Sequence, residues 1–475
     1  MSKITPRYIT TTLPYVNASP HMGHALEFVQ ADTLARFQRV IGKAVFFNLG
    51  VDEHGQKIAQ KADEQGIARQ AYVDTYAAEF QKLIATLNLS PDNFIRTTDP
   101  AHKAAVHEMW KRWDAAGDIY KKKYNGLYCV GCESFKTESD LVDGLCPDHK
   151  VAPEEIEEEN YFFRLSNYQA YLEDYLATPG VIVPEYRRQE ALTFVKKGLE
   201  DISISRETTR MDWGIPVPGD DSQVVYVWFD ALTNYISTLG WPADADGNFQ
   251  KFWLDGHTLQ LAGKDQIRFQ SIIWQAMLKC AGIKETDKIF YHGFINSDGH
   301  KMSKSLGNVI DPYELVARYG TDATRYLMLR HVHPTDDSDL TWEKMDEYYT
   351  ANLVNGIGNV TARILKMTET HLEPEEFPLL DPTTLDAPDM LNFQHAMDHI
   401  WSLIQGLDER ITTTEPYKLI KSDPEAAKAI LAELRADLLH IGRLLLPAMP
   451  ETSTAIRAAV RANQKPTNLF PRLES

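Results

Sequence analysis

No stretch of this sequence approaches the roughly 20 consecutive apolar residues that a membrane-spanning helix needs. The opening MSKITPRYITTTLPYV has no apolar core of the kind a secretory leader carries. A cytoplasmic protein with no membrane partner is therefore expected. A basic surplus is also missing: 49 Lys and Arg stand against 67 Asp and Glu, a formal net charge of −18. That balance excludes a protein coated in nucleic acid through a general positive field, although local phosphate contacts need only patches. KKKY from Lys121, YRRQ from Tyr186 and RAAVRANQK from Arg457 are the candidate patches. Cysteine is scarce, with 4 in 475 residues, and Cys129, Cys132 and Cys146 fall close together. So few and so clustered, they argue against a disulfide framework and for a metal in a reducing compartment. Internal repeats and low-complexity tails are absent, and tryptophan stops at Trp401.

At 475 residues the chain is long enough for several domains. Its first part alternates strand and helix. RYITTTL (7–13) is short and β-branched. A helix follows with Leu26, Val29, Phe37 and Val40 on its apolar face, then the buried-strand run AVFFNL (44–49). Amphipathic stretches lie near 67–87 and 101–117. This alternation predicts a parallel, doubly wound α/β sheet. The texture changes over 118–225, which holds the cysteines, the strand NYFFRL (160–165) and the acidic run PEEIEEEN. Alternation resumes with VVYVWF (224–229), TLQLAG (258–263), a helix after Asp265, and KIFYHGFI (288–295). The expected organisation is a split Rossmann-like domain (1–117 and 226–300) interrupted by an insertion (118–225). A lysine-bearing loop region (301–345) and an all-α C-terminal bundle (346–475) follow. Apolar spacing of three and four in MLNFQHAMDHIWSLIQGL and EAAKAILAELRADLLHIGRLLL carries the bundle assignment.

Two motifs point to phosphate chemistry. In NASPHMGHALEF (17–28), Ser19 is the expected helix cap and Pro20 the first helical residue. His21 and His24 then share one face of the first turn, and Gly23 leaves room for a flat ring. A helix start after the first strand of a doubly wound sheet is an anion site. Two imidazoles there can donate to phosphate oxygens as their charge grows. The plain alternative is a pair of surface histidines on a capped helix. The second motif is HKMSKSLGN (300–308), where Lys301 and Lys304 lie three apart in a glycine-flanked loop able to neutralise a leaving pyrophosphate.

A third motif is CVGCESFKTESDLVDGLCPDHK. Cys129, Cys132, Cys146 and His149 have the paired spacing of a tetrahedral zinc site. Four protein ligands leave no position for water, so one structural Zn²⁺ is expected, carried by the insertion.

With HMGH and KMSKS as its two signatures, the chain resembles the class I aminoacyl-tRNA synthetases, and more narrowly the methionyl-tRNA synthetase family. The similar strings include TTLPYVNASPHMGHALE, DEHGQKIAQKA, YVWFDALTNYIS, AGKDQIRFQ, HGFINSDGHKMSKSLGNVIDP and NLVNGIGNVTAR. The resemblance implies activation of methionine by ATP to methionyl-adenylate, then transfer to the 3′-terminal adenosine of tRNA(Met). It implies that His21, His24, Lys301 and Lys304 act on the phosphates. It puts ATP, with Mg²⁺, at Asn17, Gly23, Glu27, Gly263, Asp265, His292 and Ser303. It puts L-methionine at Leu13, Tyr15, Asp52, Trp228, Ala231, Leu232, Tyr235 and Gln270, with Asp52 facing the ammonium group. Aromatic walls suit a thioether. Arg206 matches a position near the substrate.

The resemblance also implies that the zinc knuckle leans over the active site and that residues 301–345 contact the tRNA stem. Asn359 and Arg363 are implied to read the anticodon. Two departures concern the pocket: Gln266 and Gln270 stand where the family has an isoleucine-like residue and a histidine. The family's anticodon-stacking tryptophan has no counterpart after Trp401, so stacking falls to another side chain or is absent. A monomer is expected, with no further domain after LFPRLES. A small-molecule nucleotidyltransferase and a non-catalytic tRNA-binding protein remain open as other readings.

Overall fold

The computed structural model describes residues 5–130, 134–136, 138–147, 150–297, 299–301, 310–378 and 391–473. They form two compact units. One comprises Met1–Ser19, Val45–Lys82 and Pro91–Tyr291; the other comprises Pro20–Ala44, Leu83–Ser90 and His292–Ser475.

Along the chain, β1 (Arg7–Thr10) is followed by α1 (Met22–Val40), β2 (Val45–Val51), β3 (Asn93–Arg96) and α2 (Pro100–Ala115). Later come β4 (Ile182–Val183), the short helices α3 (Val227–Leu232) and α4 (Asn234–Ser237), β5 (His257–Gly263) and β6 (Lys288–His292). The six strands make one sheet in the order β3-β2-β1-β5-β6-β4. The pairs β3–β2, β2–β1, β1–β5 and β6–β4 run parallel. Successive residues of β2 from Phe47 to Val51 are all buried, so both of its faces are covered, as its apolar run requires. The chain winds outward from β1 to β2 and β3 on one side and to β5 and β6 on the other. Ligands of such sheets bind outside the carboxyl ends of the strands at this reversal. Gly50 belongs to that end of β2. A Cβ there would fall 2.3 Å from the Ile95 carbonyl and 2.9 Å from Leu13 Cδ2, so only glycine fits.

Two expectations are corrected here. Residues 224–229 do not form a strand of this sheet. Asp220–Val225 joins a small antiparallel sheet with Ser205–Glu207 and Pro216–Val217, and α3 starts at Val227. A short apolar run has no period that separates a buried strand from a buried helical turn. The sheet also takes its edge strand β4 from within 118–225. The rest of that stretch includes a four-stranded antiparallel sheet in the order Ser134–Lys136, Ile119–Cys129, Glu154–Phe163, Ile202–Ser203.

The second unit is mainly helical: α1, then α5 (Thr321–His331), α6 (Asn359–His371), α7 (Phe393–Thr414), α8 (Pro416–Leu419), α9 (Pro424–Leu444) and α10 (Pro450–Ala462). A buried ion pair explains why α1 belongs with helices so distant in sequence. Arg325 Nη2 is 2.8 Å from Asp32 Oδ2, and both side chains are fully buried. The remaining Arg325 N–H groups donate to the carbonyls of Leu87, Pro447 and Ala448 at 3.1, 3.0 and 2.7 Å. Asp32 also accepts from Arg36 Nε, Ser90 N and Ser90 Oγ, each at 2.7 Å. The compact units therefore cut across the boundaries read from sequence, which kept 1–117 together.

Candidate active site

The start of α1 differs from expectation. His21, not Ser19, is the N-cap, and Met22 opens the helix. The first N–H groups of a helix lack intrahelical partners and call for side-chain acceptors. Here the acceptors are imidazoles. His21 Nδ1 accepts from Gly23 N–H at 3.1 Å, and His24 Nδ1 accepts from His21 N–H at 3.3 Å. The two rings stack with centroids 3.7 Å apart. An imidazole nitrogen accepts only when it carries no proton, so each ring holds its proton on Nε2. Burial, and then the neighbouring His21 and His292 rings, hold the His24 pKa well below the usual histidine range. The cap thus fixes the tautomer, leaving an Nε2–H on each ring.

One turn on, Glu27 Oε2 lies 2.9 Å from His292 Nε2, and both residues are buried. His292 Nδ1 donates to the Gly293 carbonyl at 2.8 Å. A carbonyl only accepts, so Nδ1 is protonated, and a further proton must lie between Nε2 and the carboxylate. The buried ring and carboxyl therefore share one proton across this contact. Lys301 pairs with Asn296 in the hairpin of Ile295–Ser297 with His300–Lys301. Ser303 and Lys304 lie outside the described residues.

In the sheet unit, Tyr15 lies beyond the carboxyl end of β1 and Asp52 just beyond that of β2. Tyr15 bridges Asp52 in parallel. Val16 N–H donates to the Asp52 carbonyl at 3.1 Å, and Asp52 N–H to the Pro14 carbonyl at 2.9 Å. The Asp52 side chain is buried, with Oδ1 3.4 Å from His54 N and 3.5 Å from Thr97 Oγ1. Trp228, Ala231 and Leu232 share α3, and Tyr235 lies in α4. The Trp228 ring stacks on Phe269 at 3.8 Å. Gln270, 1% exposed, donates through Nε2 to Tyr235 Oη at 2.5 Å, while its Oε1 has no partner. Gln266 turns to Asp265 instead, at 3.0 Å. Gly263 ends β5 and is buried; Asp265 follows in an exposed turn. Asn17 N–H closes onto the Tyr15 carbonyl at 2.8 Å. Arg206 is buried between the rings of Tyr226 and Tyr128, 4.3 and 5.3 Å from their centroids.

Sequence reasoning missed four buried polar groups, linked to Asp52 or to one another: His54, Thr97, His102 and Asp230. Two of them sit inside motif strings already noted, DEHG and VWFDAL. Thr97 and His102 have no local signal.

The family model for class I tRNA synthetases (M) matches residues 7–155 and 149–365. The methionine–tRNA ligase of Caldanaerobacter subterraneus subsp. tengcongensis is 42% identical over 465 residues, 94% of this chain and 72% of the relative. The chain belongs to the class I methionyl-tRNA synthetase family. The Rhizobium meliloti methionine–tRNA ligase is 40% identical over 95% of this chain and 91% of its own length. Mycobacterium tuberculosis methionyl-tRNA synthetase in complex with methionyl-adenylate superposes with a TM-score of 0.87, at 38% identity and 98% coverage of both chains.

Two further parts expected of a methionyl-tRNA synthetase are partly described. Cys129 and Cys146 are buried thiols outside any disulfide. Val142 and Leu145 pair across a tight turn, with Asp143 and Gly144 at positive φ, just before Cys146. Cys132 and His149 lie outside the described residues, and among the described residues no three metal-binding side chains gather. A buried thiol just after such a turn, as at Cys146, fits the donor chemistry of a zinc knuckle. In the helical unit, Asn359 is exposed at the start of α6, and Arg363, one turn on, is bound to Asp408 of α7. Tyr417 of α8 is 46% exposed, the one large exposed hydrophobic side chain among the described residues of this unit.

Proposed function

We infer that this chain is a methionine–tRNA ligase: it activates methionine with ATP to methionyl-adenylate and pyrophosphate, then esterifies the 3′-terminal adenosine of tRNA(Met). The observation that carries the reading is the match to methionine–tRNA ligases across 94% of the chain. Methionine-dependent ATP–pyrophosphate exchange, followed by charging of tRNA(Met), is the test. Exchange driven by another carboxylic acid, or none at all, would refute it.

The proposed roles follow from charge. The Asp52 carboxylate takes the methionine ammonium. Leu13, Tyr15, Trp228, Ala231, Leu232, Tyr235 and Gln270 line the side-chain pocket, where aromatic faces favour sulfur. Gln270 replaces the family's histidine with an uncharged amide that does not titrate. Asn17, Gly23, Glu27, Gly263, Asp265, His292 and Ser303 are proposed to hold ATP.

The methionine carboxylate attacks the α-phosphorus, and the bond to pyrophosphate breaks. The Nε2–H groups of His21 and His24 and the ammonium groups of Lys301 and Lys304 receive the charge that grows on the phosphate oxygens. Neutral histidines suit this task, since they donate without a charge to desolvate. The terminal ribose hydroxyl then attacks the adenylate carbonyl and AMP leaves. Every enzyme contribution is positioning and electrostatic stabilisation. When bound, Mg²⁺ adds further neutralisation of ATP. One Zn²⁺ held by Cys129, Cys132, Cys146 and His149 would order the insertion.

Asn359 and Arg363 are proposed to hydrogen-bond anticodon bases, as amide and guanidinium groups do with splayed single strands. Tyr417 is proposed as the stacking platform in place of the missing tryptophan. It follows the end of α7, whose Asp408 binds Arg363. From Asp408 to the helix end at Thr414 the rise is about 9 Å, less than two turns.

A further inference from the structure

Across the amino-acid pocket runs a buried ionic bridge that none of the roles above uses. Asp230 lies in α3 between Trp228 and Ala231 and is fully buried. Its Oδ2 is 2.7 Å from His54 Nδ1, and its Oδ1 is 2.8 Å from His102 Nε2. The other ring nitrogen of His102, Nδ1, is 2.8 Å from Ser237 Oγ in α4. Burial opposes ionisation of Asp230, yet the two imidazoles outweigh it and hold its pKa at about 2. An ionised carboxylate has no proton to give, so His54 donates from Nδ1 and His102 from Nε2. His102 can then accept the Ser237 hydroxyl proton on Nδ1. A buried charge is tolerated only when it is fully hydrogen-bonded, and here both oxygens are.

Each partner comes from a different segment of the chain. His54 stands two residues beyond Asp52, whose Oδ1 lies 3.4 Å from the His54 N–H. α3 carries Trp228, Ala231 and Leu232; α4 carries Tyr235; His102 belongs to α2. α3 has six residues and α4 four, far too short to hold their own positions without tertiary ties.

We propose that the His54–Asp230–His102 bridge sets the separation between the ammonium-binding end of the pocket and its thioether-binding wall. The three are positioning residues for methionine, acting through Asp52 and the α3 side chains. The proposal rests on the methionine reading above.

The test compares wild type, Asp230→Asn and His54→Phe by calorimetric titration with L-methionine and, separately, with ATP. Active-site titration gives the competent fraction. Asp230→Asn keeps shape and removes charge; His54→Phe keeps a flat ring and removes one donor. The expected result is a methionine Kd raised about 10- to 100-fold, as for a displacement of about 1 Å, with the ATP Kd within about 2-fold. A merely structural role would lower the competent fraction and leave the methionine Kd of folded protein unchanged, and that result overturns the proposal. Parallel weakening of methionine and ATP overturns it too. If Asp230→Asn fails to fold, His54→Phe and Ser237→Ala decide by the same criteria. Wild-type protein that fails to bind methionine would instead sink the underlying reading.

Discussion

Replacing Asp32 by asparagine should destabilise the helical unit by about 3–5 kcal/mol, the usual cost of stripping one partner from a buried ion pair. The structure says why the upper half of that range applies. Arg325 is fully buried and its charge has Asp32 as its carboxylate partner. In the variant one end of the amide must set N–H groups against donors, either the guanidinium groups of Arg325 and Arg36 or the Ser90 N–H. Arg325→Met should cost about as much for a different reason. It removes the donor to the Leu87, Pro447 and Ala448 carbonyls, and each buried acceptor left unpaired costs about 1–3 kcal/mol. The double variant leaves only the part-exposed Arg36 without its carboxylate and no fully buried unpaired charge, so its loss should fall short of the sum by about 2–3 kcal/mol. Urea unfolding followed by far-UV ellipticity measures the energies, and amide hydrogen exchange across α1 locates them. A loss below about 1 kcal/mol for Asp32→Asn, or strict additivity in the double variant, would refute the argument that this pair anchors α1.

Four further outcomes are expected. His24→Asn keeps an acceptor for the His21 N–H, so it should melt near wild type while pyrophosphate exchange slows about 10²- to 10³-fold at unchanged methionine affinity; a large drop in melting temperature would make His24 structural. Stability should fall as pH drops below about 6.5. His24 and His331 both sit below the usual histidine range, His331 at about 4 through burial and then Arg330, so the unfolded chain takes up protons that the native one refuses. At about 1.4 kcal/mol per pH unit for a fully shifted group, His331 alone accounts for about 2 kcal/mol lost from pH 7 to 5, and His24 adds in the same direction; a flat urea midpoint would contradict it. Metal analysis should find about one zinc per chain, with Cys146→Ser lowering both zinc content and melting temperature; metal-free protein that melts unchanged would remove the knuckle. Tyr417→Ala should raise the KM for tRNA about 5- to 150-fold, matching about 1–3 kcal/mol per stacked base, and leave exchange untouched; an unchanged KM would clear Tyr417 of stacking.

The parallel sheet was legible because β-branched and apolar runs alternate with helical periods, and that pattern leaves few topologies. The reading failed at VVYVWF, where six residues are too few for a period to speak. It also failed at the start of α1. Ser19 and Pro20 look like a cap and a first turn, but the choice among nearby acceptors depends on backbone angles that local sequence leaves open. His21 has the extended conformation of a cap, and it takes the place. The edge strand Ile182–Val183, with two residues, had no pattern to be read at all.

The pocket residues came only with the family resemblance; sequence alone determined the fold class, the helical C-terminal region, and the histidine pair, lysine loop and cysteine knuckle as candidates. These are local patterns: periods, spacings and short motifs whose chemistry is set by neighbours in the chain. Tertiary structure alone decided that Asp32 meets Arg325, that Asp230 gathers His54 and His102, and that the two imidazoles of α1 cap their own helix as neutral rings. The physical reason is that a buried charge must find its counterpart wherever the fold supplies one, and such partners have no fixed spacing in the chain.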